Sequence, residues 1–591
     1  MKFNHILTSG SAWLLLLAGA GAVSSCNDKL DLFPEDQVTP ATFYKNEKEL
    51  RLATNQLYTE IVPYANSIYE DPGDIVMQTF LNEAISNQRL IPEKDGGWTW
   101  GTLRNINFFL AHSQQCPDEA ARRRYDGLAR MFRAWFYFEK VKAFGDVPWY
   151  DAVLGSSDKD LYKPQDPRDT VMAHVLADLD YAIASLPAEH KLYEATKWTA
   201  EALKSRVMLF EGTFRKYHGL PGYEEYLKQC AAVSSDFIRN SGYAISRNGA
   251  EPYRQLFANL DADGTEIVLA RDFSTKLGLN HNAQGYEVSA GTANQGVTKR
   301  LVDSYLMKDG TRFTDRPNYA TMQFFDECKD RDPRLAQTIR TPGYMRSNGR
   351  ITLPDLGVAK TGYQLIKYEA GVKYDQYWTS ENDMPIFRAA EVYLNYAEAC
   401  AELGTITQAD LDLSIKPIRE RVGMPGISLA QANAHPDPFL EAPLTGYPNV
   451  EQGPQKGIIL EIRRERTIEL VMEGFRYYDL MRWKEGKDFD QPFRGMYFPG
   501  PGAYDLDHDG TDDVYLYTSS HHGSSTAPVQ YEIGKDIILT QGTRGNIVIH
   551  SEIHRSWNEN RDYFYPVPSN DRILTEGKLR QNPGWNDGLN F

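Results

Sequence analysis

Cysteine is scarce in this chain, and the few cysteines lie far apart. Only five occur among 591 residues: Cys26, Cys116, Cys230, Cys328 and Cys400. They form no CxxC pair, and their spacing argues against a structural zinc site. Because so few cysteines cannot hold a chain of this length together, a large hydrophobic core must do so.

The chain also lacks an excess of positive charge, a recognised catalytic motif and a linker segment. The formal net charge is -16 and the isoelectric point is near 5.3, which argues against nucleic acid as a partner. The sequence contains no GxSxG, HExxH or P-loop motif. No Pro/Ser-rich or low-complexity stretch divides the chain, so residues 46–591 are predicted to form a single globular unit.

No apolar run in the sequence is long enough to span a membrane. A spanning helix needs about 20 apolar residues, and the N-terminal run "AWLLLLAGAGAV" is shorter. Residues 1–25 therefore read as a cleavable export signal. The small residues directly before Cys26 resemble a bacterial lipoprotein signal, in which that cysteine carries the lipid and residues 26–45 form a tether. The alternative is an ordinary secretory signal followed by a coincidental cysteine.

Strong helical periodicity predicts a mainly α fold. Four segments have apolar residues at helical spacing, at 125–150, 169–187, 196–214 and 223–240. A fifth predicted helix, 385–404, is rich in alanine, and small residues let helices approach closely in stacked helix pairs. Residues 241–380 and 486–590 contain more Gly, Pro, Asn and Asp, with short strand-like pieces at 266–273 and 546–550.

A row of carboxylates stands out in "EIRRERTIELVMEGFRYYDL". It recurs at every fourth residue, as Glu461, Glu465, Glu469 and Glu473. On a helix, such neighbours are roughly 5–6 Å apart at Cβ, close to the carboxyl separation of a retaining glycosidase. Arginines within and near the row, however, lower carboxylate pKa values and make poor catalytic acids: Arg388, Arg419, Arg421, Arg463, Arg464 and Arg466. The row is therefore predicted to be a structural Glu–Arg ladder between helices.

The segment "DLDHDGTDD" has the pattern of a calcium-binding loop. The ligands predicted from it are Asp505, Asp507, Asp509, the Thr511 carbonyl and Asp513. Gly510 stands where such loops turn sharply, whereas the terminal glutamate of a full EF-hand is missing. A structural calcium is the expected cofactor, and a polar turn without metal is the alternative.

Several motifs together resemble the SusD/RagB-like family. The resemblance runs in order from Cys26 to Trp585, through these segments: "LDLFPEDQVTPATFYKNEKEL", "FGDVPWY", "TKRLVDSYLMKDG" (298–310), "RDPRL" (331–335), "IRERVGMP" (418–425) and "YFYPVPSNDRI…QNPGW" (563–585). It implies a tetratricopeptide-like helix-pair scaffold with a loop-rich layer and a few short strands that carry the ligand site. A loop insertion at about 486–530 departs from shorter members of the family.

The resemblance also implies a function. Such proteins are lipid-anchored at the cell surface in the outer membrane of Bacteroidota. They capture nutrient glycans and deliver them to a SusC-like TonB-dependent transporter without catalysing a reaction. Two alternatives remain open: a lipid-anchored glycan hydrolase, and a family member that captures peptides.

Aromatic residues in polar loops are the candidate ligand contacts, because exposed rings can stack on the apolar faces of sugars. The family's site includes a segment just before a helix that "LRNINFFL" resembles, which makes Trp98 and Trp100 in "DGGWTWG" the first candidates. In an extended loop, these alternate residues would point to opposite sides. Tyr286 and Trp378 are further candidates, chosen as aromatics in polar loops.

The lipid anchor gives the first prediction. Because several acyl chains on one cysteine give stable anchoring, Cys26→Ser should leave a folded protein that is released from the membrane fraction. Membrane fractionation followed by immunoblotting would measure this. Equal recovery of wild type and variant in the membrane would contradict lipidation of Cys26.

Overall fold

The computed structural model describes residues 42–520 and 522–591. The predicted signal segment and Cys26 lie outside the described residues. Within the described part of the chain, no helix is both long enough and apolar enough to cross a membrane.

Helices dominate the fold. Their bounds are α1 Glu47–Ile61, α2 Asn66–Tyr69, α3 Glu83–Ser86, α4 Gly101–His112, α5 Glu119–Phe144, α6 Arg168–Ser185, α7 Lys197–His218, α8 Tyr223–Asn240, α9 Gln255–Ala258, α10 Ala283–Val288, α11 Lys299–Ser304, α12 Phe324–Glu327, α13 Ala389–Glu402, α14 Gln408–Leu413, α15 Ile415–Glu420, α16 Leu429–Ala434, α17 Pro438–Glu441, α18 Lys456–Glu469, α19 Arg476–Arg482 and α20 Ser569–Leu574. The strands are short: β1 Val76–Met77, β2 Ile267–Arg271, β3 Gly296–Val297, β4 Met384–Arg388, β5 Phe493–Phe498, β6 Gly502–Tyr504, β7 Val514–Tyr517, β8 Val529–Glu532 and β9 Gly545–Ile549.

The four helices predicted first from periodicity are confirmed as α5 to α8. The Asp118 carboxylate caps α5 by accepting the Ala121 N–H at 3.0 Å, and Gly145 ends it with φ +74°. A side chain at Gly145 would be strained in this conformation. The "FGDVP" segment therefore stops the helix as the sequence predicts.

The long helices pack as neighbouring pairs, α5 with α6 and α7 with α8, and α13 packs against α8. Gly212 makes one of these approaches possible, because a Cβ there would lie 2.7 Å from the Leu227 side chain. The mainly α, helix-pair scaffold is thus confirmed.

The strands form small separate sheets in the loop-rich part of the chain. The pairs β1–β3, β2–β4 and β5–β9 are antiparallel, and β6–β7–β8 form a three-stranded sheet. Strand β4 corrects one prediction, because residues 384–388 are not the start of a helix. They pair with β2, and α13 begins only at Ala389. The β-branched and aromatic residues of "MPIFR" suit a buried strand.

The helix that carries the glutamate row is shorter than its sequence pattern. Helix α18 ends at Glu469, and the chain turns at Met472 with φ +62° before α19 begins. Glu473 therefore lies in the turn after the helix and not on its face.

The predicted Glu–Arg ladder is confirmed, and it joins α18 to three other segments: the 331–335 loop, strand β4 and the end of α15. Arg334 Nη1 donates to Glu465 at 2.5 Å and to Glu469 at 3.1 Å, and Arg419 Nε donates to Glu465 at 2.8 Å. Arg388, at the end of β4, donates to Glu469 at 2.7 Å and to Glu473 at 2.6 Å. Arg421 also pairs with Glu469.

These ion pairs are almost completely buried. Burial alone would raise the pKa of Glu469, but Arg421, Arg388 and Arg334 outweigh it and lower the pKa below its usual value. A group with a lowered pKa stabilises the fold above its unfolded-state pKa, and this stabilisation is lost as the pH falls. The glutamates at 465 and 469 are thus held ionised by their arginine partners.

Removing the Glu469 charge should be severely destabilising. Glu469→Gln leaves buried arginines without a counter-charge, and the expected loss in unfolding free energy is about 3–5 kcal/mol. Chemical denaturation at pH 7 would measure it. The matched control is Glu420→Gln, since Glu420 forms an exposed pair with Arg247 at 2.9 Å and should cost less than about 1 kcal/mol. Equal losses for the two variants would contradict this assignment.

Candidate functional site

Two exposed and two half-buried aromatic side chains form a surface on the loop-rich part of the protein. This Trp378 surface consists of Tyr64, Tyr286, Tyr377 and Trp378. Tyr377 is 66% exposed and Trp378 is 43% exposed, and their ring centroids lie 5.9 Å apart at 86°. The Tyr64 ring lies 6.5 Å from Trp378. Exposed rings at fixed angles can receive the apolar face of a flat ligand.

The backbone of Trp378 adopts the left-handed conformation, with φ +57°. This conformation is an outlier for a bulky side chain and costs on the order of 1–3 kcal/mol. The buried Asn282 side chain supports it, because its Oδ1 accepts the Trp378 N–H at 3.1 Å. The Asn282 Nδ2 is also buried and has no hydrogen-bond partner within the described residues. The hydrogen bond from the Trp378 N–H to Asn282 thus stabilises the left-handed backbone of Trp378.

Both ends of the Tyr377–Trp378 loop are anchored by carboxylates. Asp375 accepts from Arg346 Nη2 and from Gln284 Nε2, each at 2.6 Å. At the other end, Glu381 accepts the Thr275 N–H and the Tyr374 hydroxyl, each at 2.9 Å. The hydrogen bonds from Thr275, with that from Tyr374, lower the pKa of Glu381 to about 2. The two exposed rings therefore stand on a fixed loop.

Tyr286 reaches the same surface from α10. Its hydroxyl donates to Glu70 at 3.1 Å, and its ring contacts Tyr69 edge-on at 5.0 Å. Burial, with Glu70 and Tyr377 nearby, raises the pKa of Tyr286 to about 12. The structure thus places Tyr286 near Tyr377, the neighbour of Trp378 in the chain.

Trp98 and Trp100 belong to a different aromatic cluster, and the expected exposure of Trp98 is wrong. Trp98 is 4% exposed and packs edge-on against Phe144 of α5 at 4.8 Å. The expectation that the two rings point to opposite sides of the loop is also wrong, because the centroids of the Trp98 and Trp100 rings lie 5.3 Å apart. The segment is not extended: the Trp98 N–H closes a turn on Asp95, and Trp100 directly precedes α4 with ψ 3°.

Trp100 itself is half-buried and lines a groove with Tyr150 and Tyr162. Its ring lies perpendicular to that of Tyr150, 5.8 Å away. Trp100 therefore remains a candidate ligand contact, at a place distinct from the Trp378 surface.

The predicted metal loop brings three of its carboxylates together. Ligand oxygens of Asp505, Asp507 and Asp513 all lie within 4.8 Å of one another. Gly510 turns the loop with φ +91° and donates its N–H to Asp505 at 2.8 Å. Partial burial and the neighbouring carboxylates raise the pKa values of Asp507 and Asp513. Crowding of this kind favours a bound hard cation.

Asp509, a fourth predicted carboxylate ligand, is not part of this cluster. The Asp509 carboxylate accepts the Thr511 N–H at 2.7 Å, and ligation by Asp509 and by the Thr511 carbonyl stays a prediction. The loop contacts the body of the protein through His508, whose ring stacks on Phe325 at 3.9 Å.

Three functional candidates are missed by sequence reasoning. Tyr64 directly follows Pro63, which was a usable loop signal for it, and Asn282 is one of many asparagines. Tyr377 directly precedes Trp378, so an aromatic pair in a polar loop was a usable signal for it.

Comparison with known proteins finds family models and relatives that together match most of the chain. The model of the SusD family matches residues 266–585, and a model described as "Starch-binding associating with outer membrane" matches residues 64–213. A SusD-like protein of Formosa agariphila is 22% identical over 84% of this chain and 94% of its own length.

Solved structures show the same fold. A SusD-like carbohydrate-binding protein from Bacteroides fragilis superimposes with a TM-score of 0.67 at 21% identity, covering 91% of this chain and 99% of its own. Another crystal structure, obtained with a xylogluco-oligosaccharide, gives a TM-score of 0.58 at 18% identity and covers 92% and 100% of the two chains.

Proposed function

The chain belongs to the SusD family, and on that premise we propose that it is a cell-surface protein that binds glycans for uptake. Its ligand would be an oligosaccharide or polysaccharide bound on the Trp378 surface. The observation that carries the proposal is the exposed Tyr377–Trp378 pair, fixed by Asn282, Asp375 and Glu381.

Sugar rings suit this surface for two reasons. Their apolar faces stack on aromatic side chains, and their hydroxyls need nearby hydrogen-bonding groups. Glu70, beside Tyr286, offers a carboxylate for that purpose. Because the surface is preformed, little conformational entropy is lost on binding.

The membrane location and the partner of the protein are proposed from the same family membership. We propose that the lipid on Cys26 anchors the chain at the outer membrane, and that a SusC-like TonB-dependent transporter receives the glycan from it. No step of catalysis is required of this chain. In support of a binding role, the glutamates of α18 are paired with arginines and buried, so they are unsuited to act as acids.

Loss of the exposed indole should weaken glycan binding. Trp378→Ala is expected to lower affinity about tenfold or more, by analogy with the ~1–3 kcal/mol contributed by stacking a base on an aromatic ring. Isothermal titration calorimetry would measure it with cellohexaose, xylohexaose, mannohexaose, maltohexaose and xyloglucan oligosaccharides.

The matched control is Leu444→Ala, an exposed apolar residue outside the Trp378 surface, which should bind as the wild type does. Chromatography of the incubated sugars distinguishes the alternative functions: an unchanged glycan profile supports a receptor, whereas shorter products indicate a hydrolase. If Trp378→Ala binds the wild-type ligand with undiminished affinity, the surface is not the glycan site.

We also propose that the aspartate loop binds one structural calcium ion. Asp505, Asp507 and Asp513 would supply carboxylate oxygens, the ligands that Ca²⁺ prefers. The ion would neutralise the crowded charge and hold the loop insertion at about 486–530 against Phe325.

Calcium should therefore raise the melting temperature of the protein. An ion that binds only the folded state stabilises it by about 2.7 kcal/mol at a concentration 100 times the dissociation constant. The double variant Asp505→Asn/Asp507→Asn should lose the difference in melting temperature between calcium and chelator, while Asp512→Asn, outside the carboxylate cluster, should keep it. If the melting temperature of the wild type is the same in calcium and in chelator, the proposed calcium site is refuted.

A further inference from the structure

A pocket lies between helices α1 and α5, and it shares no lining residue with the Trp378 surface or with the groove beside Trp100. Its other walls are the segment 186–195 and the end of strand β2. The volume of this Arg51 pocket is about 370 Å³, which falls within the range of roughly 300–1,000 Å³ typical of small-molecule sites. The helical scaffold thus has a cavity of ligand size of its own.

The buried part of the lining is apolar. It includes Val62 from the end of α1, Leu128 from α5 and Leu269 from β2, all of which are buried. Arg271 Nη1 donates to the Val62 carbonyl at 2.9 Å, which joins the end of β2 to the end of α1. These contacts form the pocket before any ligand arrives.

Cationic side chains outnumber carboxylates in the lining. Three arginines reach the pocket from three different elements: Arg51, Arg124 and Arg271. The two carboxylates that also line it, those of Glu194 and Asp272, belong to exposed residues. One positive charge therefore remains in the pocket, although the whole chain has a formal net charge of -16. A local excess of this kind attracts an anion with a single charge.

Two of the guanidinium groups have donors to spare. Within the described part of the chain, the Arg51 side chain makes no hydrogen bond or ion pair. The Arg124 guanidinium lies 3.6 Å from the carboxylates of Glu47 and Glu194, which is longer than a hydrogen bond. Guanidinium groups bind carboxylates with paired N–H donors, so both arginines can accept a carboxylate ligand.

Two tyrosine hydroxyls in the pocket also lack an acceptor for their protons. The Tyr58 hydroxyl accepts the Ala195 N–H at 2.7 Å, and it has no acceptor of its own among the described residues. Tyr125 is only 4% exposed, and its hydroxyl makes no hydrogen bond with any described residue. Burial raises the pKa of both tyrosines, so each hydroxyl keeps its proton at neutral pH. A buried donor without a partner is costly, and a ligand in the pocket would supply the missing acceptor.

Neutral polar groups continue the wall that Arg51 begins. Asn55 and Thr59 follow Arg51 on α1 at intervals of four residues, so the three side chains share one face of the helix. Asn55 and Thr59 are exposed, line the pocket and make no side-chain hydrogen bond with another described residue. Amide and hydroxyl groups of this kind suit a ligand that carries hydroxyls of its own.

An acidic sugar combines a carboxylate, hydroxyls and an apolar ring face. We propose that the Arg51 pocket binds a uronic acid, whose carboxylate bonds to Arg51 and Arg124 while its hydroxyls bond to Asn55 and Tyr125 and its ring packs on Val62. The inference goes beyond the proposed function, because it concerns a separate site and does not depend on the Trp378 surface. The single spare charge in a strongly acidic chain favours one uronic acid unit over a polyanion.

The test titrates D-glucuronate and D-galacturonate calorimetrically into the full chain at pH 7. D-glucose and D-galactose are the neutral counterparts, and acetate is the carboxylate without a sugar ring. At least one uronate should bind about tenfold or more tightly than its neutral counterpart and than acetate, because only the uronate uses both the arginines and the hydroxyl partners.

Variants then identify the pocket as the site. Arg51→Met should lower the uronate affinity about tenfold, because it removes a charge-assisted hydrogen bond. The matched control is Lys48→Met, which removes the same charge from an exposed position of the same helix outside the pocket and should leave the affinity unchanged. Tyr125→Phe keeps the ring, removes only the unpartnered hydroxyl and should also weaken uronate binding.

Each outcome decides a different point. The proposal is refuted if neither uronate binds, if Arg51→Met and Lys48→Met have the same effect, or if acetate binds as tightly as the uronates. Arg51→Met should bind neutral hexasaccharides as the wild type does, so failure of the Arg51 pocket and failure of the Trp378 surface are measured separately. Because Arg51 and Lys48 are exposed, circular dichroism is expected to show an unaltered fold in both variants.

Discussion

The buried charge network around α18 is the constraint on which the rest of the structure depends. Glu465 and Glu469 lie in the core, and together their ion pairs tie three segments of the chain to one helix: the 331–335 loop, strand β4 and the end of α15. A buried ion pair contributes little net stability compared with an apolar contact, but breaking one is costly. The network therefore acts mainly to fix which loops lie beside which helices, and so sets the base of the loop-rich layer.

Much of the scaffold was predictable from the sequence, because long amphipathic helices have apolar residues at a clear helical spacing. Helices α5 to α8 follow directly from apolar spacing and stop signals. Of the arginines predicted to pair with the glutamate row, Arg388, Arg419 and Arg421 from neighbouring motifs do so. The errors occur where tertiary pairing overrides local propensity. Residues 384–388 pair with β2, which lies more than a hundred residues earlier in the chain. The turn at Met472 ends the helix before Glu473, so the last glutamate of the row is not on the helix.

The site was less predictable, because the exposure of a ring depends on backbone turns and not on residue type. Trp98 and Trp378 both stand in polar segments, yet one packs into the core and the other faces solvent. Gly96 and Gly97, with φ +52° and +85°, fold the first segment back onto Phe144. In the second segment, Trp378 has a left-handed backbone that is bonded to Asn282, and its indole faces solvent. Composition marks both residues as candidates, and only the dihedral angles separate them.

The left-handed backbone of Trp378 costs the protein folding free energy. Glycine or asparagine would adopt φ +57° with less strain, so the chain holds its indole outward at the expense of its own folding free energy. Selection for thermal robustness alone would drive this position towards a smaller residue and erase the ring. On the proposed glycan-binding role, the exposed indole is what this backbone strain maintains.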